Sequence, residues 1–129
     1  MAAQVLEQLL AEAGLADAAD KVGDSMYRIR WGSTTLVTGS VGDGIVVIAP
    51  MFDAPPASRQ EPFYRRLLEI NCEMGGTAAL SLQQDGSVVL QVGRGVRGLD
   101  AHELGLMVGT IGRFAGEYGE KLRREFYGE

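Results

Sequence analysis

With 129 residues the chain has the length of one ordinary domain, and a 46% hydrophobic, 22% charged composition is that of a globular protein. One cysteine and one histidine exclude an internal disulfide framework and a Cys/His metal cluster within one chain. Seventeen acidic residues against twelve basic ones give a net charge of −5, the opposite of a phosphate-neutralising surface, so nucleic acid is not an expected partner.

The first ten residues carry Glu7 and no basic side chain, unlike an export or transit signal. No uncharged apolar run approaches the roughly 18 residues of a membrane span. A cytoplasmic protein with no membrane partner is expected. In residues 2–13, Val5, Leu6, Leu9, Leu10 and Ala13 recur at helical spacing, and Gly14 offers a C-terminal cap. Residues 16–23 read as an irregular acidic connector.

At Ser25 the period changes to two. Tyr27, Ile29 and Trp31 alternate with Met26, Arg28 and Arg30, the rhythm of a half-buried strand. Gly32-Ser33 makes a tight turn into a β-branched strand over residues 34–41, and Gly42-Asp43-Gly44 turns again into a third strand over 45–49. Connections this short predict an antiparallel meander. Residues 51–62, with Pro55, Pro56 and Pro62, read as an exposed loop.

Helical spacing returns at Phe63, Leu67, Leu68 and Ile70 and stops at Gly75-Gly76. Two strands, 77–82 and 87–92, flank the hairpin signal Asp85-Gly86. Asp100 with Glu103 three residues on resembles a capping box. From Leu104 to Phe126 one apolar helical face can be traced. The expected order is helix-β-β-β-helix-β-β-helix, an α+β fold with an antiparallel sheet and helices mainly on one face. One domain over residues 1–129 is expected.

Gly93-Arg94-Gly95-Val96-Arg97-Gly98 is a literal G-x-G-x-x-G, but its context argues against a dinucleotide turn. The strand before it is the second arm of a hairpin, no strand follows to complete a βαβ unit, and Asp100 repels phosphate at the helix start. His102 reads as a surface histidine and Cys72 as a small core residue. The pairs Asp17/Asp20 and Glu117/Glu120 read as solvated charge. No catalytic, cofactor or metal-binding constellation is found, and an enzyme is not expected.

Two features ask for more than a core. The strand over 45–49 is apolar on both sides of the pleat: either a helix, loop or subunit covers its second face, or part of that face is left open for a partner. The last helix carries Gly105, Gly109, Gly112, Gly116 and Gly119, each costing up to about 1 kcal/mol relative to alanine. They are either incidental to a glycine-rich composition, or a smooth stripe for close approach of another backbone.

The segment Leu67-Leu68-Glu69-Ile70-Asn71-Cys72-Glu73-Met74, followed by the strand, the Asp-Gly hairpin, the next strand and the Leu99-Asp100 helix entry, resembles the class I type III secretion chaperones of the Tir chaperone (CesT-like) family. The related YbjN-like group shares most of these signals, so a regulatory or scaffolding protein without a secretion client is the alternative. The resemblance implies a homodimer with Phe63, Leu67, Ile70, Asn71 and Leu80 near its two-fold axis. It further implies that an extended N-terminal segment of a secreted effector binds surface patches, for which Trp31, Leu36, Val46 and Ile48 are the candidates. No cofactor is implied. The glycine-rich last helix departs from the family's leucine- and alanine-rich one.

Overall fold

A computed structural model describes residues 2–128; Met1 and Glu129, the ends of the expected domain, lie outside the described residues. Helix α1 (Ala2–Glu12) buries Leu6, Leu9 and Leu10 and ends where Gly14 takes a left-handed φ of 75°. After a 3₁₀ turn (Ala16–Ala18) come four strands: β1 (Ala19–Gly23), β2 (Met26–Trp31), β3 (Thr34–Val41) and β4 (Gly44–Phe52). Helix α2 (Gln60–Met74), strands β5 (Ala79–Leu82) and β6 (Val88–Gly95), and helix α3 (Ala101–Phe126) complete the chain.

The sheet is antiparallel throughout, in the order β1-β2-β3-β4-β6-β5. The expected α+β architecture is present, with one strand added. Residues 19–23 are a strand, not an irregular connector. Alanine, aspartate and lysine give that segment no two-residue rhythm; its neighbours hold it instead. Ala19 pairs with Ile29 in the register, and Arg30 donates to the Asp20 carboxylate at 2.6 Å and to the Asp17 carbonyl at 3.0 Å. Its charges and the irregularity between Lys21 and Gly23 blunt the edge against further pairing.

Helices α1 and α3 cover one face of the sheet, and α2 packs along β5 at the edge. The strands alternate accordingly. Tyr27 and Ile29, Leu36 and Thr38, and Ile45, Val47 and Ala49 point under the helices and are buried, as are Leu80 and Leu90. The buried Thr38 hydroxyl donates to the Val46 carbonyl at 2.8 Å, so it leaves no unmet polar group. Asp100 caps α3 as expected, its carboxylate accepting from the Glu103 N–H at 2.8 Å.

The C-terminal end of α3 closes the fold through an aromatic cluster. Fully buried Phe63 meets Phe126 edge-on at 5.3 Å between centroids, Tyr127 at 5.9 Å and Phe52 at 5.8 Å. The Tyr127 hydroxyl donates to the Ala54 carbonyl at 2.7 Å, latching the chain end onto the loop after β4. Desolvation raises the Tyr127 phenol above its ordinary pKa, which is near 10. The latch therefore contributes fully below pH ~10 and is lost as the pH rises through the folded value. Tyr127→Phe is expected to flatten the alkaline fall in melting temperature above about pH 10.

Candidate functional site

Among the described residues no helix covers the sheet face turned away from α1 and α3. Its middle is apolar: the register sets Val37 beside Ile48 and Gly39 beside Val46, and continues to Gly93 beside Val46 and Gln91 beside Ile48. Val46 thus lies between two glycines, with no side chain to shield it on either hand. A Cβ at Gly93 would stand 3.2 Å from Val46 Cγ1. Val46 and Ile48 stay half-buried, and Val41 at the strand end is 68% exposed. Arg28 and Arg30 bound this strip on β2. Of the two readings of residues 45–49, the open face is the one present in the single chain.

The four candidate contact residues do not form one patch. Val46 and Ile48 share the open face. Leu36 is fully buried against Ile29 in the core and offers no surface, which corrects its assignment as a contact residue. Trp31, 39% exposed, is in phase with Tyr27 and Ile29 and so belongs to the opposite, helix-covered side. Its indole lies across Gly109 and Gly112 of α3; a Cβ at Gly112 would fall 2.9 Å or less from three indole atoms. At these two positions the glycine stripe accommodates a side chain of the same subunit rather than another backbone. Gly105 and Gly116 face open space.

The expected dimer contacts also need correction. Phe63, Leu67, Ile70 and Leu80 are at most 6% exposed within one subunit, so their side chains serve its own core. Asn71 is half-buried and has a local role. Its Nδ2 donates to the Leu80 carbonyl at 3.1 Å and its Oδ1 accepts from the Leu80 N–H at 2.7 Å. One side chain thereby satisfies both backbone groups that Leu80 turns to the edge and blunts β5 there against another strand. The outward side of α2 carries Leu68, 70% exposed, with half-buried Tyr64. Cys72 is exposed too, not a core residue. Arg66, held by Glu73 at 3.3 Å and Glu125 at 3.4 Å, ties α2 to the end of α3.

The glycine-rich motif is strand as far as Gly95 and turns over residues 96–98. Gly93 and Gly95 end β6, and Arg94 forms an ion pair with Glu103 of α3. His102 is exposed. Among the described residues no three His, Cys, Asp or Glu side chains gather as a metal-binding group. Among the described residues no helix is long and apolar enough to cross a membrane.

Residues 4–109 match the model of the Tir chaperone protein (CesT) family. The chain belongs to this family. No curated protein matches it in sequence. Among solved structures, a chain of the heterodimeric ExoU–SpcU complex from the type III secretion system of Pseudomonas aeruginosa is 16% identical over 87% of this chain and 93% of its own, with a TM-score of 0.66. The Yersinia pestis type III secretion chaperone SycH, solved with a fragment of YscM2, is 13% identical over 91% and 98%, with a TM-score of 0.59. An uncharacterised protein of Methanothermobacter thermautotrophicus is 12% identical over 98% and 99%, with a TM-score of 0.57. At these identities the likeness is one of fold. The CesT family match ends at Gly109, so the half of α3 that carries Gly112, Gly116 and Gly119 lies outside it. Within the match, this CesT-family chain uses Asn71 as a clamp on β5.

Proposed function

We propose that this chain is a cytoplasmic type III secretion chaperone, a single domain over residues 1–129, which binds the N-terminal region of a secreted effector as a homodimer and keeps it secretion-competent. The observation that carries the reading is the uncovered apolar strip around Val46 and Ile48, on a fold shared with the chaperone of the SycH–YscM2 complex. A client segment laid on that strip removes apolar surface from water at about 25 cal/mol per Å², less the cost of ordering the segment. The mechanism needs affinity and release and no reactive group, so enzymatic activity forms no part of it.

The homodimer in this reading uses the outer side of α2, with Leu68 and Tyr64 taking the role first given to Phe63, Leu67, Ile70 and Leu80. Leu68→Arg is expected to convert a dimer into a monomer by sedimentation at micromolar concentration, with the melting temperature of the subunit unchanged. A monomeric parent protein rejects the dimer. The client arm is tested by affinity capture from the native cytoplasm, followed by truncation of the captured protein. Binding is expected to map to the N-terminal region of a secreted protein and to fall at least tenfold with Ile48→Lys. Capture that ignores both changes rejects the reading.

A further inference from the structure

On the helix-covered side of the sheet, a cavity of about 520 Å³ opens between α3 and the ends of β3 and β4. That volume lies within the range of small-molecule sites. Buried Met51 and Ala115 form its floor, Ser33 and Thr34 stand on the strand side, and Glu120 and Arg123 on the helix side. The glycines of α3 account for the opening. Gly109 and Gly112 carry the Trp31 indole, but one turn on, nothing stands within 4 Å of a Cβ at Gly116, which also lines the cavity. At Gly119 a Cβ would lie 3.5 Å from both Arg123 Nη1 and Met51 Cε, so the Arg123 side chain is folded back along the helix toward the cavity. Its guanidinium is also held over the Phe52 ring, 5.6 Å from the centroid.

Glu120 and Arg123 are neighbours on the helix surface at i and i+3, yet among the described residues they form no ion pair with each other. Glu120 lies 3.9 Å from Arg124, and Arg123 meets the Phe52 face instead. A simple anion is opposed here by Glu120 and a simple cation by Arg123. A molecule that carries both charges on neighbouring groups satisfies the two at once. Its carboxylate accepts paired N–H bonds from Arg123, and its ammonium donates to Glu120. The Ser33 and Thr34 hydroxyls can donate to the remaining lone pairs, and the Met51 and Ala115 floor suits an apolar side chain.

We propose that this cavity binds a free α-amino acid with an apolar side chain, held by Arg123 and Glu120 at the rim and received by Met51 and Ala115 at the floor. The site lies across the sheet from Val46 and Ile48 and is independent of the chaperone reading.

Calorimetric titration of L-phenylalanine into the full chain tests this, with 3-phenylpropionate and phenethylamine as probes that lack the ammonium and the carboxylate respectively. Phenylalanine is expected to bind saturably, at least tenfold tighter than either analogue, and to raise the melting temperature with its concentration, because it binds the folded chain. Arg123→Gln should weaken phenylalanine at least tenfold and leave phenethylamine as it was. Glu120→Gln should weaken phenylalanine similarly and leave 3-phenylpropionate no weaker. Gly116→Leu, which fills the cavity from a position where a new Cβ meets nothing, should abolish binding with the melting temperature of the free protein retained. Should it instead destabilise the chain, the two charge variants, at exposed positions, decide the matter by themselves. Lack of saturable binding up to about 10 mM overturns the proposal. So does equal binding of phenylalanine and the two analogues, or binding indifferent to both charge variants.

Discussion

Phe63→Ala is expected to destabilise the subunit by about 3–5 kcal/mol, the cost of truncating a fully buried aromatic side chain without collapse of the cavity. Phe63 has no exposed surface, and its ring touches the end of β4 through Phe52 and the end of α3 through Phe126 and Tyr127. Removing it deprives three elements of a common contact, including the segment latched by Tyr127. For a chain of this size the melting temperature should fall by roughly 10–20 °C. The loss should not depend on protein concentration, because the contacts lie inside one subunit. Leu68→Ala, one turn further along α2 but outward-facing, is expected to stay within about 0.5 kcal/mol. A Phe63→Ala protein that dissociates on dilution with its melting temperature unchanged would return this residue to the interface.

Replacing Gly112 should have the next largest effect, and the sign is informative. In an exposed helix, glycine to alanine gains up to about 1 kcal/mol, and Gly116→Ala, with nothing within 4 Å of the new Cβ, is expected to show that gain. At Gly112 the new Cβ would lie 2.3 Å from Trp31 Cδ1, so the indole must leave its seat. Gly112→Ala is therefore expected to cost about 1–3 kcal/mol and to shift fluorescence to the red, with Trp31 the only tryptophan as reporter. In a Trp31→Ala background the same substitution should become stabilising, which isolates the pair as the cause. If Gly112→Ala and Gly116→Ala behave alike in the parent, the stripe has no relation to Trp31.

Much of this architecture was legible from local patterns. The two-residue rhythm from Met26 to Trp31, the turns at Gly32 and Gly42, the Asp85-Gly86 hairpin, and Asp100 ahead of the last helix all mark elements whose causes lie within a few residues. The strand over residues 19–23 was invisible for the opposite reason: its pairing with β2 and the Arg30 contacts to Asp17 and Asp20 hold it, and its own composition does not. Likewise Leu36 and Trp31 could be placed on strands, but which face each joined depended on the register with Ile29 and on where α3 lay.

What the sequence by itself determined is the three helices, the hairpins that follow Met26 and the Asp100 cap, together with the Leu67–Asn71 segment and the glycines of the last helix as features needing a reason. Tertiary structure alone decided the reasons: Asn71 clamps Leu80 of β5, Gly112 seats an indole, and Phe63 sits in a core. Periodicity assigns residues to the faces of an element, because backbone geometry repeats every 2 or 3.6 residues. Whether a face is then sealed or left to a partner depends on segments far apart in the chain, and no local repeat encodes their meeting.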